Sequence, residues 1–182
     1  DPANGRERFI KKNGLPTYTW GANDQVVVGD NNPDAQGSVG LNVAYKGFYL
    51  NASFMYQWGA QSYNETLLNK VENADVRGSN VDRRVLTQRW MNPGDIAPFY
   101  DMGNQTKTQV TTRFVQDYDY FNFSGLSLGY DFSRELISKW RLRSLGLRFN
   151  MNDICRWSTV KEERGTSYPF SRSFSFTLNI GI

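Results

Sequence analysis

The chain has 182 residues, a formal net charge of +3 and a mean hydropathy of −0.60. It has no histidine and a single cysteine, Cys155, which excludes Ser-His-Asp and Cys-His nucleophile systems, most zinc sites and an internal disulfide. Its scattered basic residues do not predict binding of nucleic acid, and it lacks the run of about 18 apolar residues that a membrane helix requires.

The first 36 residues resemble loop sequence and carry no regular alternation. The chain begins with Asp1 and shows no signal-peptide pattern. We therefore expect it to be the C-terminal portion of a longer polypeptide, with residues 1–36 forming an extracellular loop region.

Residues 37–182 carry five segments in which apolar and polar side chains alternate, the pattern of strands with one apolar face. The first two segments flank Lys46-Gly47, which predicts a tight hairpin. The apolar rows are Val39, Leu41, Val43 and Tyr45; Phe48, Leu50, Ala52, Phe54, Tyr56 and Trp58; Leu126, Leu128, Tyr130 and Phe132; Leu145, Leu147, Phe149 and Met151; and Phe174, Phe176, Leu178, Ile180 and Ile182.

The connections between these strands alternate in length. The turns at residues 46–47 and 133–143 are short, whereas the connections at 60–112 and 158–168 are longer or more polar. In outer-membrane barrels short turns face the periplasm and long loops face outward. Within 60–112, Asn64 precedes a short predicted helix with Leu67, Leu68 and Val71 on one side, so we expect an ordered extracellular loop.

Aromatic residues collect at the two ends of the apolar rows, as in the girdles at the two water–lipid boundaries of a membrane barrel. One predicted girdle contains Tyr45, Phe48, Tyr130 and Phe132, and the other contains Tyr56, Trp58, Tyr118, Tyr120 and Trp157. The same alternation places Cys155 beside Trp157 on the lipid face, where packing is the expected role.

The fold class predicted from these observations is all-β, with a five-strand antiparallel segment of a larger transmembrane β-barrel. Five strands cannot close such a barrel, because single-chain bacterial barrels have eight or more. A soluble β-sandwich shows the same alternation when its apolar rows face a second sheet, and this alternative stays open.

Ten short motifs follow one another in a specific order and spacing. They are Asn32-Pro33, Tyr45-Lys46-Gly47-Phe48, Tyr56-Gln57-Trp58-Gly59, Asn80 to Arg84, Arg89-Trp90, Pro93-Gly94-Asp95, Thr112 to Asp117, Leu126 to Tyr130, Asn150 to Asp153, and Tyr168 to Phe174. Taken together, over about residues 14–182, they resemble the C-terminal part of the SusC/RagA family.

The resemblance implies a TonB-linked, 22-stranded outer-membrane transporter that imports oligosaccharides or, less often, peptides under a SusD-like surface lipoprotein. The remainder of the same transporter, the TonB complex, the ligand and outer-membrane lipid would then be its partners. We expect no enzymatic activity, cofactor or metal. The last residue, Ile182, departs from the aromatic that is usual at this position.

In such a transporter the polar side chains of the strands would line the lumen. Near the outer mouth we expect substrate contacts from five residues, namely Gln57, Asp117, Asp119, Asn152 and Arg156. Two other functions share parts of the pattern. A passive porin would have the same strands without a plug, and a soluble sugar-binding sandwich would use exposed Trp and Tyr residues as stacking platforms.

Overall fold

The computed structural model describes residues 1–104, 106–161 and 171–182, and the chain divides into two units. The first, called the loop unit, contains Asp1–Asn31, Gln61–Gln116 and Val160–Phe170. The second, called the sheet unit, contains Asn32–Ala60, Asp117–Thr159 and Ser171–Ile182. Most of the predicted connection at 158–168 lies outside the described residues, as do residues 168–170 of the motif Tyr168 to Phe174.

Strands predominate among the elements of the described residues. The strands are β1 (Phe9–Ile10), β2 (Pro16–Thr17), β3 (Ala35–Tyr45), β4 (Phe48–Trp58), β5 (Gln61–Tyr63), β6 (Val115–Asp117), β7 (Tyr120–Asp131), β8 (Ser144–Ser158) and β9 (Phe174–Gly181). The helices are α1 (Glu65–Leu67), α2 (Val85–Gln88) and α3 (Arg134–Ile137), with a π-helical turn at Leu68–Glu72 and 3-10 turns at Ala22–Asp24, Thr112–Phe114 and Ser138–Trp140. No helix in the described ranges is long and apolar enough to cross a membrane.

The sheet unit is a five-stranded antiparallel sheet with the order β3-β4-β7-β8-β9. The five strands pair in the order in which they occur in the sequence, and the sheet does not close on itself. The prediction of five antiparallel strands is confirmed. Pairs β1-β2 and β5-β6 form two further small sheets.

The predicted hairpin turn is present between β3 and β4. Lys46 and Gly47 both have positive φ, 47° and 87°, as a two-residue turn that follows the twist of its strands requires. A Cβ atom on Gly47 would lie 2.5 Å from the carbonyl oxygen of Asp131. Glycine is therefore required here both by the backbone conformation and by the close approach of the neighbouring strand β7.

The apolar rows predicted from the sequence share one face of the sheet, here called the apolar face. Leu41 pairs with Ala52, Ala52 with Leu126, Leu126 with Met151, and Met151 with Phe174. Many of these side chains are exposed, including Leu41 at 51% and Phe176 at 69%. Among the described residues, no second sheet therefore covers the apolar face as a sandwich would require.

Two irregularities in register change which residues reach the apolar face at one end of the sheet. The β4–β7 register shifts between Ser53 and Phe54, and the β7–β8 register shifts between Phe123 and Gly125. Relative to β4, β7 carries one extra residue at this level and β8 carries two. One extra residue reverses the faces of a strand and two restore them, so the orientation changes in β7 alone.

The placement of Tyr118 and Tyr120 in a lipid-facing girdle is wrong for this reason. Tyr120 pairs with Gln57 on the polar side of the sheet, and the ring of Tyr118 lies 5.7 Å from that of Tyr120. Phe121 and Phe123 take the apolar positions instead. Phe121 pairs with Trp157, and Phe123 pairs with Cys155, so Trp157 and Cys155 lie on the apolar face, as the alternation predicts.

The loop unit has a small hydrophobic core of its own. Its buried members are Leu67, Val71, Val85, Phe99 and Phe114, each worth about 1.5–3 kcal/mol when fully buried. Asn64 caps the helix as predicted, because its Oδ1 accepts a hydrogen bond from the backbone N–H of Leu67 at 3.0 Å. The ordered loop is built around this helix.

A buried polar group supports this core. The carboxylate of Glu72, whose side chain is 0% exposed, accepts hydrogen bonds from Thr108 and from Arg113, and Arg113 also contacts the carboxylate of Glu7. Burial alone would lower the pKa of Arg113, yet its hydrogen bonds and charge interactions with Glu72 and Glu7 raise it. Arg113 thus neutralises a carboxylate that water does not reach.

Arg89 serves a second buried role in the loop unit. Its guanidinium donates to the carbonyl oxygens of Val71, Glu72, Tyr100 and Asp101 at 2.8–3.1 Å. The carbonyl oxygens of Val71 and Glu72 belong to the last two residues of the π-helical turn. The last carbonyls of a helical turn have no backbone N–H of the same turn to accept from. Arg89 therefore joins the turn to the segment that contains Tyr100.

Glu7 predicts a pH dependence of the loop unit. Burial raises its pKa above the ordinary value of 4.5, against the opposing charge and hydrogen bond of Arg113. An acid with a raised pKa favours the folded state at low pH, and this contribution is lost as the pH rises through the raised value.

We therefore expect the protection of the loop unit against amide exchange to fall as the pH rises above 4.5. In the Glu7→Gln variant, this protection should no longer depend on pH in that range. Amide hydrogen exchange of the full-length protein, corrected for intrinsic rates, measures both. If protection in Glu7→Gln falls with pH as steeply as in wild type, another group causes the pH dependence.

Candidate functional site

The side chains opposite the apolar face form the polar face of the sheet, which we take as the candidate site. Near the Lys46-Gly47 end, the ring of Tyr49 lies over Gly129, where an added Cβ atom would be 1.8 Å from the ring. The Tyr49 hydroxyl accepts a hydrogen bond from Nε of Arg148 at 2.6 Å. Gly129 thus leaves room for a Tyr–Arg pair that crosses β4, β7 and β8.

Hydrogen bonds between side chains continue across the middle of the polar face. The Ser127 hydroxyl donates to Oδ1 of Asn150 at 2.8 Å, and the Asn150 amide donates to Ser175 at 3.5 Å. Ser53 and Ser124 lie 3.0 Å apart through their hydroxyl oxygens. Such small polar groups present alternating donors and acceptors over four strands.

The other end of the polar face carries a cluster of Arg156, Tyr118 and Tyr120, here called the Arg–Tyr cluster. The guanidinium carbon of Arg156 lies 4.6 Å from the ring centre of Tyr120 and 5.6 Å from that of Tyr118, distances of cation–π contact. Arg156 also donates a hydrogen bond to the Tyr118 hydroxyl. The two rings therefore hold the guanidinium in one orientation.

Gln57 supports this cluster from the neighbouring strand. Its amide donates to the carbonyl oxygen of Tyr118 at 3.3 Å, while the backbone N–H of Tyr118 donates to Ala60 at 2.7 Å. Tyr118 lies outside the strands, and these two bonds fix the position of its backbone. Gln57 is thus a positioning residue as well as a wall residue.

The two predicted aspartates are held through Thr159. Its hydroxyl donates to the carbonyl oxygen of Asp117 at 2.5 Å and accepts from the backbone N–H of Asp119 at 2.9 Å. The Asp119 carboxylate accepts a hydrogen bond from the backbone N–H of Gly59 at 2.8 Å. Asp119 therefore has a structural role at the end of β4, and Asp117 is exposed.

Three of the five predicted contact residues lie on the polar face. The register places Gln57 opposite Tyr120, Arg156 opposite Asn122, and Asn152 opposite Gly125. Their contact with a substrate stays a prediction.

Sequence reasoning missed Tyr118, Tyr120 and Asn122 as members of this surface. The signal lay in a change of phase, because Phe121 and Phe123 are odd-numbered whereas Leu126, Leu128 and Tyr130 are even-numbered. A strand whose apolar positions change phase across Ser124-Gly125 contains an extra residue there. Before Ser124, the even-numbered residues of β7, Tyr120 and Asn122, therefore lie on the polar face.

Two polar atoms of this region are buried without a hydrogen-bond partner in the described part of the chain. They are Oδ1 of Asn122 and Oγ of Ser158. Asn122 pairs with Arg156, and Ser158 pairs with Tyr120. Buried polar groups are normally satisfied, so this end of the polar face has hydrogen-bonding capacity left for water or a ligand.

The chemistry of the polar face is that of binding. It offers hydroxyls, amides and guanidinium groups, and no group of three or more His, Cys, Asp or Glu residues suited to a metal occurs within the described ranges. Its arrangement can hold an extended polar molecule through many weak contacts.

Comparison with known proteins supports the fold through structure alone. No family model and no curated protein matches the sequence. Three solved structures of the RagAB system match over the whole chain or nearly so. The RagAB peptide importer in its open-open state has a TM-score of 0.72 at 15% identity and 100% coverage of this chain.

The other two matches agree with the first. A structure of the RagAB peptide transporter has a TM-score of 0.69 at 16% identity, and the importer in its closed-closed state has 0.67 at 16%, each covering 99% of this chain. The chain spans about a fifth of the matched chains, 21–22% of their length. It therefore has the fold of part of a barrel-like transporter.

Proposed function

We propose that the chain is part of a TonB-dependent outer-membrane transporter, which imports peptides or oligosaccharides together with a SusD-like surface lipoprotein. The observation that carries this proposal is the exposed apolar face of an open antiparallel sheet, opposite a polar face with fixed binding groups. Lipid outside and a water-filled lumen inside would suit these two faces. Strands supplied by the remainder of a barrel of about 22 strands would pair with the free edges of β3 and β9.

The structural neighbours support transport as the class of function. RagAB is a peptide importer, and the likeness extends over the whole of this chain. Peptides are accordingly a substrate class to be tested beside oligosaccharides. On this proposal, the loop unit is extracellular, and the short turns at 46–47 and 133–143 face the periplasm.

The proposed function predicts that uptake needs TonB. Cells expressing the full-length protein with its partner lipoprotein should import a labelled peptide mixture or a labelled oligosaccharide mixture, and loss of TonB should abolish this import. Import of either mixture that continues without TonB would indicate a passive porin. Recovery of the protein in the soluble fraction without detergent would indicate a sugar-binding sandwich.

Simultaneous alanine replacement at Gln57, Asp117, Asp119, Asn152 and Arg156 should lower ligand uptake at least tenfold, because several contacts of about 1 kcal/mol each would be lost. Surface level must be matched, since Asp119 also holds Gly59. Unchanged uptake at equal surface level would move the binding site elsewhere.

A further inference from the structure

Arg156 is a cation on the polar face whose side chain forms no ion pair with a carboxylate in the described part of the chain. A guanidinium carries five N–H donors, and one of them reaches the Tyr118 hydroxyl. Its side chain is only partly buried. Arg156 therefore keeps several donors for an acceptor that approaches from the polar face.

The two tyrosine rings favour a ligand that binds to the guanidinium rather than to the rings. Sugar stacking needs an open aromatic face, but the guanidinium of Arg156 covers Tyr120 at 4.6 Å and lies beside Tyr118 at 5.6 Å. A planar guanidinium held in this way is preorganised for a planar, bidentate acceptor. A carboxylate has that geometry.

The register of the strands places further polar groups beside Arg156. Asn122 pairs with it directly, and the Oδ1 atom of Asn122 is buried without a partner among the described residues. This oxygen is an acceptor, so it would take an N–H or O–H donor of the ligand and not its carboxylate. The two bulges bring Tyr120 and Asn122 to the polar face, since without them Phe121 and Phe123 would occupy it. Bulges that re-aim side chains in this way are common next to binding sites.

We propose that the Arg–Tyr cluster binds a carboxylate of the imported molecule and thereby selects for acidic ligands. This inference rests on the proposed function. Arg156 forms the ion pair, Tyr118 and Tyr120 fix its orientation, and Gln57 fixes Tyr118. The carboxylate comes either from a peptide or from a uronic acid unit of an oligosaccharide.

The test uses the purified full-length transporter with its lipoprotein and four probe mixtures. Two are a peptide digest of a protein and the same digest after methyl esterification, which removes its carboxylates. The other two are an oligogalacturonate digest and a neutral maltodextrin digest. Captured molecules are identified by mass spectrometry. The proteins compared are wild type, Arg156→Gln, Arg156→Lys and Arg134→Gln.

Arg134→Gln is the control for loss of one positive charge, because Arg134 is an exposed arginine of the sheet unit that lies in α3, outside the strands and their polar face. We expect wild type to prefer untreated over esterified peptides, or oligogalacturonate over maltodextrin, by about tenfold. Arg156→Gln should lose this preference and Arg156→Lys should retain part of it. Arg134→Gln should keep it.

The outcomes separate the two proposals. Preference for untreated peptides or for oligogalacturonate that depends on Arg156 supports the inference and identifies the source of the carboxylate. Equal capture of acidic and neutral probes, or a preference that survives in Arg156→Gln or falls equally in Arg134→Gln, overturns the inference and leaves the transporter assignment intact. Capture of none of the probes counts against both.

Discussion

Replacing Leu41 with arginine is expected to destabilise the membrane-inserted protein by about 2–4 kcal/mol, the cost of a cation at the midplane of a barrel's lipid face. Leu41 lies in the row of Ala52 and Leu126, midway between the aromatic ends of the apolar face. Its side chain is 51% exposed. Nothing in the packing of the described residues makes this substitution costly, so on the proposed function the penalty comes from lipid.

The neighbouring position gives the matched control. Asn42 belongs to the same strand and points to the polar face, opposite Asn51, so Asn42→Arg should fold and insert normally. Urea unfolding of the full-length protein in lipid vesicles measures both variants. Equal stability of Leu41→Arg and wild type would contradict a lipid-facing wall.

The second large effect is expected from Arg113→Met in the loop unit. The variant leaves the carboxylate of Glu72, with its side chain 0% exposed, without its cation. Breaking one side of a buried ion pair costs about 3–5 kcal/mol, and the lower end applies because the side chain of Arg113 is 32% exposed. Amide exchange should accelerate throughout residues 64–73 and 106–116.

Two further variants distinguish charge burial from general damage. Arg113→Met combined with Glu72→Gln should recover part of the lost protection, since the uncompensated charge is then gone. Arg77→Met removes an exposed arginine of the same unit that forms no ion pair in the described part of the chain, and it should change nothing. A double variant no better than Arg113→Met alone would refute the charge explanation.

The sheet was predictable because its alternation repeats in five segments. Because side chains in a strand alternate between the two faces, the period of two predicts which residues share a face. The Lys46-Gly47 turn fixes the register of β3 and β4. The capped helix at Asn64 was predictable for a similar local reason. Each of these signals needs only a few adjacent residues.

The candidate site was less predictable, because it depends on how strands compare with one another. The extra residue in β7 is defined only relative to β4, and a pattern within one segment does not show it unless the change of phase is noticed. The pairing of Arg113 with Glu72 and Glu7 joins residues 41 and 106 positions apart. Sequence spacing gives no indication of such contacts.

The two bulges constrain how the length of β7 can vary in evolution. Deleting Ser124 would remove the extra residue and leave Phe121 and Phe123 on the apolar face, because Phe123 would then directly precede Gly125. Deleting Asn122 instead would turn Phe121 to the polar face and Tyr120 to the apolar face. In homologous proteins, a single-residue deletion in this half of β7 should therefore fall at Ser124, and other length changes should occur in even numbers.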